Sequence, residues 1–198
     1  MIELYAITDD PTPPDPPLRA VRSDGLAVVY GPAERQAVTA ETLWHHEQVV
    51  EGLMSGREIL PVRYGTFVPD PSAAAEAVAK RRDELAASLE RVRGAVELAV
   101  RVEISEPEAE STESGRDYMT AKLRRMAKAD LVHERLSPVA REHVIRPGPE
   151  LLRAAYLVDR AEVEHVVSLV LRLQESHPDL DLLCTGPWPP YSFAGDAQ

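Results

Sequence analysis

Cysteine is almost missing from this chain of 198 residues, and positive charge is scarce. The one cysteine, Cys184, excludes an intramolecular disulfide, which favours a reducing compartment. Lysine and arginine number 22 against 33 aspartates and glutamates, giving a formal net charge of −11. Because nucleic-acid binding relies on a surplus of basic residues, neither nucleic acid nor an anionic membrane surface is an expected partner.

Long apolar runs are also absent. No stretch approaches the roughly 18 consecutive apolar residues of a membrane-spanning helix. The first residues, Met1-Ile2-Glu3-Leu4-Tyr5, lack the basic region and apolar run of a signal peptide. Apolar residues make up 44% of the chain and charged residues 28%, a composition typical of globular proteins. We therefore expect a folded cytoplasmic protein.

Motifs for catalysis and phosphate binding are missing too, including the glycine-rich phosphate loop and the nucleophile elbow. His45-His46-Glu47 resembles part of a zinc-protease motif, but Val50 stands where the second histidine is needed. Cys184 has no activating neighbour in sequence, so a buried structural thiol is the preferred interpretation. We expect no catalytic residue, cofactor or metal. Two alternatives stay open: an enzyme that uses His45, His46 or Cys184, and a small-molecule-sensing ferredoxin-like module.

Turn and capping signals organise residues 1–93 as an α+β domain. Ser23-Asp24-Gly25 indicates a hairpin, Thr39 a helix N-cap, and Asp70-Pro71 the start of one long helix. The expected strands are 2–8, 18–22, 26–30 and 59–63, and the expected helices are 39–55 and 70–93. A loop with five prolines separates the first two strands, because proline cannot donate to a sheet.

Residues 95–185 have the element order strand, helix, strand, strand, helix, strand. In Val96–Ile104 apolar residues alternate with mostly charged ones, which predicts one buried face and one wetter face. The expected strands are 96–104, 139–146, 151–159 and 180–185, the helices 116–136 and 161–175, and the mobile loop 105–114. This order is that of a ferredoxin-like βαββαβ domain.

The predicted fold class is therefore α+β. It comprises two domains with antiparallel sheets, each covered by helices on one face, and a tail rich in proline and aromatic residues at 186–198. The requirements of folding alone do not explain the sequences of two segments, Leu60–Phe67 and Thr185–Phe193. The second is stiff because of its prolines. Its aromatic residues either pack back onto the protein, which we favour from sequence, or face a partner.

These segments resemble those of the gas vesicle protein F/L family, and the resemblance extends from end to end. The motifs that carry it are His46-Glu47, Leu60-Pro61-Val62-Arg63-Tyr64-Gly65-Thr66, Gly115-Arg116-Asp117-Tyr118 and Gly186-Pro187-Trp188-Pro189-Pro190-Tyr191-Ser192-Phe193. Tyr64 stands where phenylalanine is commoner in the family. F-type and L-type roles are not distinguished by these motifs.

The resemblance implies a non-enzymatic assembly factor or minor component of gas vesicles. Its implied partner is the small hydrophobic shell protein, gas vesicle protein A, whose aggregation an acidic soluble protein could prevent by covering its apolar surface. We expect partner-binding or family-motif roles for Pro61, Arg63, Tyr64, Gly65, Arg116, Tyr118, Gly186, Pro187, Trp188, Pro190, Tyr191 and Phe193.

Overall fold

A computed structural model describes residues 1–33, 38–104, 115–148 and 150–195. The chain divides into two compact units. The first unit contains Met1–Gly94 and Trp188–Gln198, and the second contains Ala95–Pro187. The tail from Trp188 onwards thus belongs with the N-terminal part of the chain. The glutamate-rich loop expected at 105–114 lies outside the described residues.

The first unit contains five strands and three helices in its described part. They are β1 (Ile2–Thr8), β2 (Arg19–Ser23), β3 (Leu26–Pro32), α1 (Ala40–Gly56), β4 (Leu60–Pro61), β5 (Phe67–Val68), α2 (Pro71–Lys80) and α3 (Arg82–Val92). The sheet order is β2-β3-β1-β4, β5 also pairs with β1, and all these pairs are antiparallel.

The hairpin between β2 and β3 forms where the turn residues predict it. Asp24 and Gly25 both have positive φ, 49° and 86°, as a tight primed turn requires. The four successive residues Leu26–Val29 of β3 are all buried. Because neighbouring side chains on a strand point to opposite faces, both faces of this strand are covered, and the predicted one-sided covering is wrong here.

Local capping sets the helix starts. The Thr39 hydroxyl accepts a hydrogen bond from the Thr42 amide at 3.2 Å, and the Asp70 carboxylate accepts one from the Ala73 amide at 3.0 Å. The single long helix predicted after Asp70 is wrong, because it breaks at Arg81 (φ −121°, ψ 17°) into α2 and α3. Buried residues continue at helical spacing across this break, so the apolar pattern of the sequence does not indicate it.

The second unit contains four strands, two helices and two short 3-10 turns in its described part. They are β6 (Ala95–Ile104), α4 (Gly115–Leu136), a turn at Ser137–Val139, β7 (Glu142–Ile145), β8 (Leu152–Asp159), a turn at Arg160–Glu162, α5 (Val163–Ser176) and β9 (Leu180–Trp188). The sheet order is β7-β8-β6-β9, with β6 and β7 both antiparallel to β8.

The core of this unit lies between the sheet and its two helices. It includes Val100 of β6, Tyr156 of β8, Val132 of α4 and Val170 of α5. The wetter face predicted for β6 is wrong along its first half, since Glu97 is also buried there.

Strand β9 does not stop at Gly186 as predicted but continues to Trp188. It is an edge strand, where Pro187 can be accommodated because one side of the strand needs no amide donor. Among the described residues, no helix has the length and hydropathy needed to cross a bilayer.

Candidate partner-binding site

Helix α1 places His46 in the interior of the first unit, with a relative exposure of only 1%. Its Nε2 lies 2.9 Å from the Val62 carbonyl oxygen and its Nδ1 lies 2.8 Å from Glu3 Oε1. A carbonyl only accepts hydrogen bonds, so Nε2 must donate to Val62. The contact between Nδ1 and Glu3 then needs one further proton, carried by the imidazole or by the carboxyl group.

Two tyrosine rings enclose this histidine. Tyr5 stacks on it with ring centroids 5.0 Å apart, and Tyr64 meets it edge-on at 5.5 Å. The Tyr64 hydroxyl donates to Thr42 Oγ1 at 2.8 Å. Burial and the adjacent Glu3 carboxylate raise the pKa of Tyr5 to about 12, so its hydroxyl remains a donor near neutral pH. Both ring nitrogens of His46 thus have partners within the first unit, Glu3 and Val62.

The segment from Leu60 to Thr66 is fixed by these contacts and by the backbone of β1. The Val62 amide donates to the Tyr5 carbonyl at 2.9 Å, and the Leu4 amide donates to the Thr66 carbonyl at 3.0 Å. Gly65 has φ 86° within the turn, a conformation that disfavours any residue with a Cβ atom.

The expected site residues of this segment differ in how exposed their side chains are. Pro61 is buried, Tyr64 is half-buried against His46, and Gly65 forms the turn. Arg63 is exposed, and its guanidinium forms no ion pair within the described part of the chain. Arg63 is thus the side chain of this group that is available to a partner.

The next residue of α1, Glu47, lies beside the tail. The Tyr191 hydroxyl is buried and makes no hydrogen bond of regular geometry with the described residues. The Glu47 carboxylate is nevertheless near enough to change the pKa of that hydroxyl. Burial, and then the Glu47 charge, raise the pKa of Tyr191. Burial also raises the pKa of Glu47, partly offset by His46 and Tyr191. Consecutive residues of α1 therefore face the two motif segments: His46 bonds to the first, and Glu47 lies near Tyr191 of the second.

Other contacts attach the tail firmly to the first unit. Phe193 is buried, and its carbonyl oxygen accepts a hydrogen bond from the Arg91 guanidinium. The Phe193 amide donates to the Pro190 carbonyl at 3.1 Å, which closes a turn around the half-buried Tyr191. Trp188 differs from these residues, because 41% of it stays exposed. We call residues 188–193 the aromatic strap.

The remaining expected site residues lie in the second unit, apart from Pro190. Gly186 (φ 122°) and Pro187 are exposed near the end of β9, and Pro190 of the strap is buried in the first unit. Arg116 and Tyr118 belong to the first turn of α4. Their participation in a site stays a prediction.

The structure also brings together three titratable residues that the sequence did not connect. His133 Nδ1 lies 2.9 Å from the Tyr156 hydroxyl, and the rings of His133 and His143 have centroids 4.6 Å apart. Burial lowers the pKa of His133, and His143 lowers it further. These residues come from α4, β7 and β8, so no local spacing could have revealed the cluster.

Features suited to catalysis are not apparent in the described residues. No group of three or more histidine, cysteine, aspartate or glutamate side chains within the described ranges could hold a metal ion. Cys184 packs against the core of the second unit, and burial raises the pKa of its thiol. A thiol in that environment is a poorer nucleophile at neutral pH than an ordinary cysteine.

The fold and contacts define a class: a two-unit α+β protein whose aromatic strap is fixed to its first unit. The profile of the family described as "Gas vesicle synthesis protein GvpL/GvpF" matches residues 4–195. The chain belongs to this family of gas vesicle proteins, as its sequence motifs indicated.

Curated relatives agree with this assignment. Gas vesicle protein L of Streptomyces sp. (strain CB03234) is 34% identical over 184 residues, covering 77% of this chain and 68% of that protein. Gas vesicle protein F of the same strain is 26% identical over 213 residues, covering 91% and 89%.

Solved structures share the fold. The crystal structure of GvpF from Microcystis aeruginosa has a TM-score of 0.81 at 17% identity and covers 98% of both chains. That of GvpF from Anabaena sp. PCC7120 has a TM-score of 0.83 at 19% identity, covering 98% of this chain and 95% of the other.

Proposed function

We propose that this chain assists gas vesicle assembly in the cytoplasm by binding the small shell protein, gas vesicle protein A, and limiting its aggregation. The observation that carries this proposal is that Trp188, at the start of the anchored strap, remains 41% exposed. Large aromatic side chains gain most when a partner covers them, and they are common at the centres of protein interfaces. Arg63, also exposed, is a second candidate contact.

The rigidity of the strap favours binding. Phe193 is buried and Tyr191 half-buried, so the backbone on the C-terminal side of Trp188 is already ordered before a partner arrives. A preordered segment loses less conformational entropy on binding than a flexible one. The net charge of −11 keeps a complex with an apolar shell monomer soluble. The proposed role is thus to bind the shell protein and release it, with no covalent step.

We further propose that the second unit is a ferredoxin-like domain that begins after Gly94. The support is its element order and its sheet order, in which the first and third strands of the unit are central. Gly94, with φ 70°, is the last residue of the first unit before the second begins at Ala95.

Co-purification tests the proposed shell contact. Shell protein produced together with the tagged chain should be retained by the wild type, whereas Trp188→Ala should retain it about tenfold less, the effect of losing roughly 1.4 kcal/mol. Trp188→Phe keeps an aromatic ring and should retain most of the binding. Leu171→Ala is the matched control, because Leu171 is also a large exposed side chain but lies on α5.

Two outcomes would count against different parts of the proposal. Equal retention by the wild type and Trp188→Ala would remove the strap from the contact. No retention by the wild type would remove shell binding itself, while leaving the family assignment in place.

A further inference from the structure

A cleft of about 510 Å³ lies beside α1 in the first unit. Its lining residues come from three parts of the chain: the proline-rich loop before β2, the strands β1 and β3, and helix α1 with its C-cap. Small-molecule sites in proteins typically have volumes of about 300–1,000 Å³. The cleft is therefore large enough for a small ligand, and neither Trp188 nor any residue of the second unit lines it.

Most of the lining of this cleft is apolar. Residues 16–18, two prolines and a leucine, contribute from the loop, and Val49 and Leu53 contribute from α1. The loop is held in place by its own backbone, since the Leu18 amide donates to the Asp15 carbonyl at 3.0 Å. Apolar walls of this kind gain free energy when the hydrocarbon part of a ligand replaces water.

Two glycines of α1, Gly52 and Gly56, also line the cleft. Neither has a positive φ, and a Cβ atom added to either would meet no atom of another part of the described chain within 4 Å. Gly31 differs, because a Cβ atom there would lie 3.1 Å from Tyr5 Cε2. Glycine in a helix interior lowers stability relative to alanine, so neither backbone geometry nor packing among the described residues accounts for Gly52. What Gly52 preserves is the open space of the cleft.

Arg57, the C-cap residue of α1, supplies a permanent positive charge to this lining. Its Nη1 donates to the Thr12 carbonyl oxygen at 2.9 Å, the one hydrogen bond that its side chain makes with the described residues. The exposed Asp10 carboxylate is near enough to interact with the Arg57 charge, but it accepts its hydrogen bond from the Thr12 amide. A guanidinium has five N–H donors, and Arg57 is half-buried, whereas the Asp15 carboxylate of the lining is exposed. Because a partly desolvated guanidinium binds carboxylates well, the lining favours an anionic group at Arg57.

We propose that this cleft binds a carboxylate that is attached to an apolar group. The carboxylate accepts hydrogen bonds from the Arg57 guanidinium, and the apolar group fills the space beside Gly52 and displaces water from Leu18 and Val49. A free apolar acid and the C-terminal carboxylate of a peptide share this chemistry. A ligand of about ten non-hydrogen atoms in such a half-open site has a dissociation constant of roughly 1 mM. The site lies in the first unit and is separate from the surface proposed for the shell protein.

A nuclear magnetic resonance titration of the isotope-labelled full-length chain tests this proposal. The probe is hydrocinnamate near pH 7, where its carboxylate is ionised, and the control ligand is hydrocinnamide, which has nearly the same shape but no charge. The acid should shift the backbone amide signals of Gly31, Gly52 and Gly56 until they saturate, and the amide should bind at least roughly tenfold more weakly. No saturable shift of these signals up to about 20 mM acid, or equal affinity for acid and amide, would overturn the proposal.

Two variants with matched controls assign the binding to this cleft. Gly52→Leu should abolish it, because the new side chain enters the cleft at a position where nothing obstructs a Cβ atom. Ser55→Leu adds the same side chain at an exposed position of α1 outside the lining and should bind like the wild type. Arg57→Gln should bind the acid no more tightly than the amide. Its control is Arg22→Gln, because Arg22 also donates to a carbonyl before β2, that of Asp10, but does not line the cleft.

Wild-type affinity in Gly52→Leu would contradict the proposal, as would an unchanged preference for the acid in Arg57→Gln. A peptide then distinguishes the two sources of the carboxylate. Tighter binding of acetyl-alanyl-phenylalanine than of hydrocinnamate would support a chain terminus as the ligand, and equal or weaker binding would support a free acid. The titrations contain no shell protein, so their outcome is independent of the proposed function.

Discussion

Replacing His46 by alanine tests the network that fixes the first motif segment. The change removes the partners of the Glu3 carboxylate and the Val62 carbonyl and leaves a cavity between two tyrosine rings. A buried polar group that loses its partner costs about 1–3 kcal/mol. Together with the cavity, we expect a loss of about 3–5 kcal/mol in the free energy of unfolding of the first unit, a large share of typical domain stability.

Urea unfolding followed by tryptophan fluorescence measures this loss. Trp44 lies in α1 of the first unit, whereas Trp188, although grouped with that unit, also ends strand β9, so Trp44 is the reporter specific to the first unit. With a typical dependence of about 2 kcal/mol per molar urea, the midpoint should fall by roughly 2 M. His45→Ala, the exposed neighbour on the same helix, is the matched control and should change stability by less than about 0.5 kcal/mol.

A second variant separates packing from hydrogen bonding. His46→Phe fills most of the cavity but leaves the Glu3 and Val62 oxygens unpaired, so it should recover only part of the loss. Two results would refute the reasoning: a His46→Ala midpoint equal to that of His45→Ala, or a His46→Phe protein as stable as the wild type.

Two further predictions concern pH. Burial raises the pKa of Glu47, so its contribution to stability is present below its unfolded pKa of about 4.3 and is lost as pH rises through the folded pKa. Glu47→Gln should therefore be at least as stable as the wild type near pH 7, with the difference vanishing near pH 4 in thermal unfolding. A variant less stable near pH 7 would contradict this. Burial lowers the pKa of His133, so the unfolded chain binds a proton first as pH falls below about 6.5, and wild-type stability should decline there. His133→Gln should reduce that decline. Identical pH profiles of stability for the wild type and His133→Gln would argue against this effect of His133.

The elements that sequence predicted correctly depend on local chemistry. Asp24-Gly25 needs only its own backbone preferences to form a tight turn, and Thr39 and Asp70 need only the amide groups two or three residues ahead. Such signals act within a few residues and do not depend on the rest of the fold.

The wrong predictions depend on tertiary context. Nothing in the apolar pattern marks the helix break at Arg81, because the buried positions on both sides continue at helical spacing. The charged positions of β6 alternate with apolar ones in the sequence, yet Glu97 among them is also buried. Periodicity identifies an apolar face but cannot say whether that face is occupied.

The candidate site was partly predictable. Sequence identified both motif segments, but not that consecutive residues of one helix face them. The contacts of His46 span 43 residues to Glu3 and 16 to Val62, and the Glu47 contact reaches the tail at Tyr191. Nor could sequence show that Trp188 remains exposed while Phe193 is buried. Long-range packing decides both points.

Assembly of vesicles in cells tests the central claim most directly. A cell with a complete set of vesicle genes should lose its light-scattering, buoyant vesicles when the gene for this chain is deleted. We predict that the wild-type chain restores them and that Trp188→Ala, produced at the same level, restores few. Normal vesicle yield in the deletion strain would contradict the assembly role.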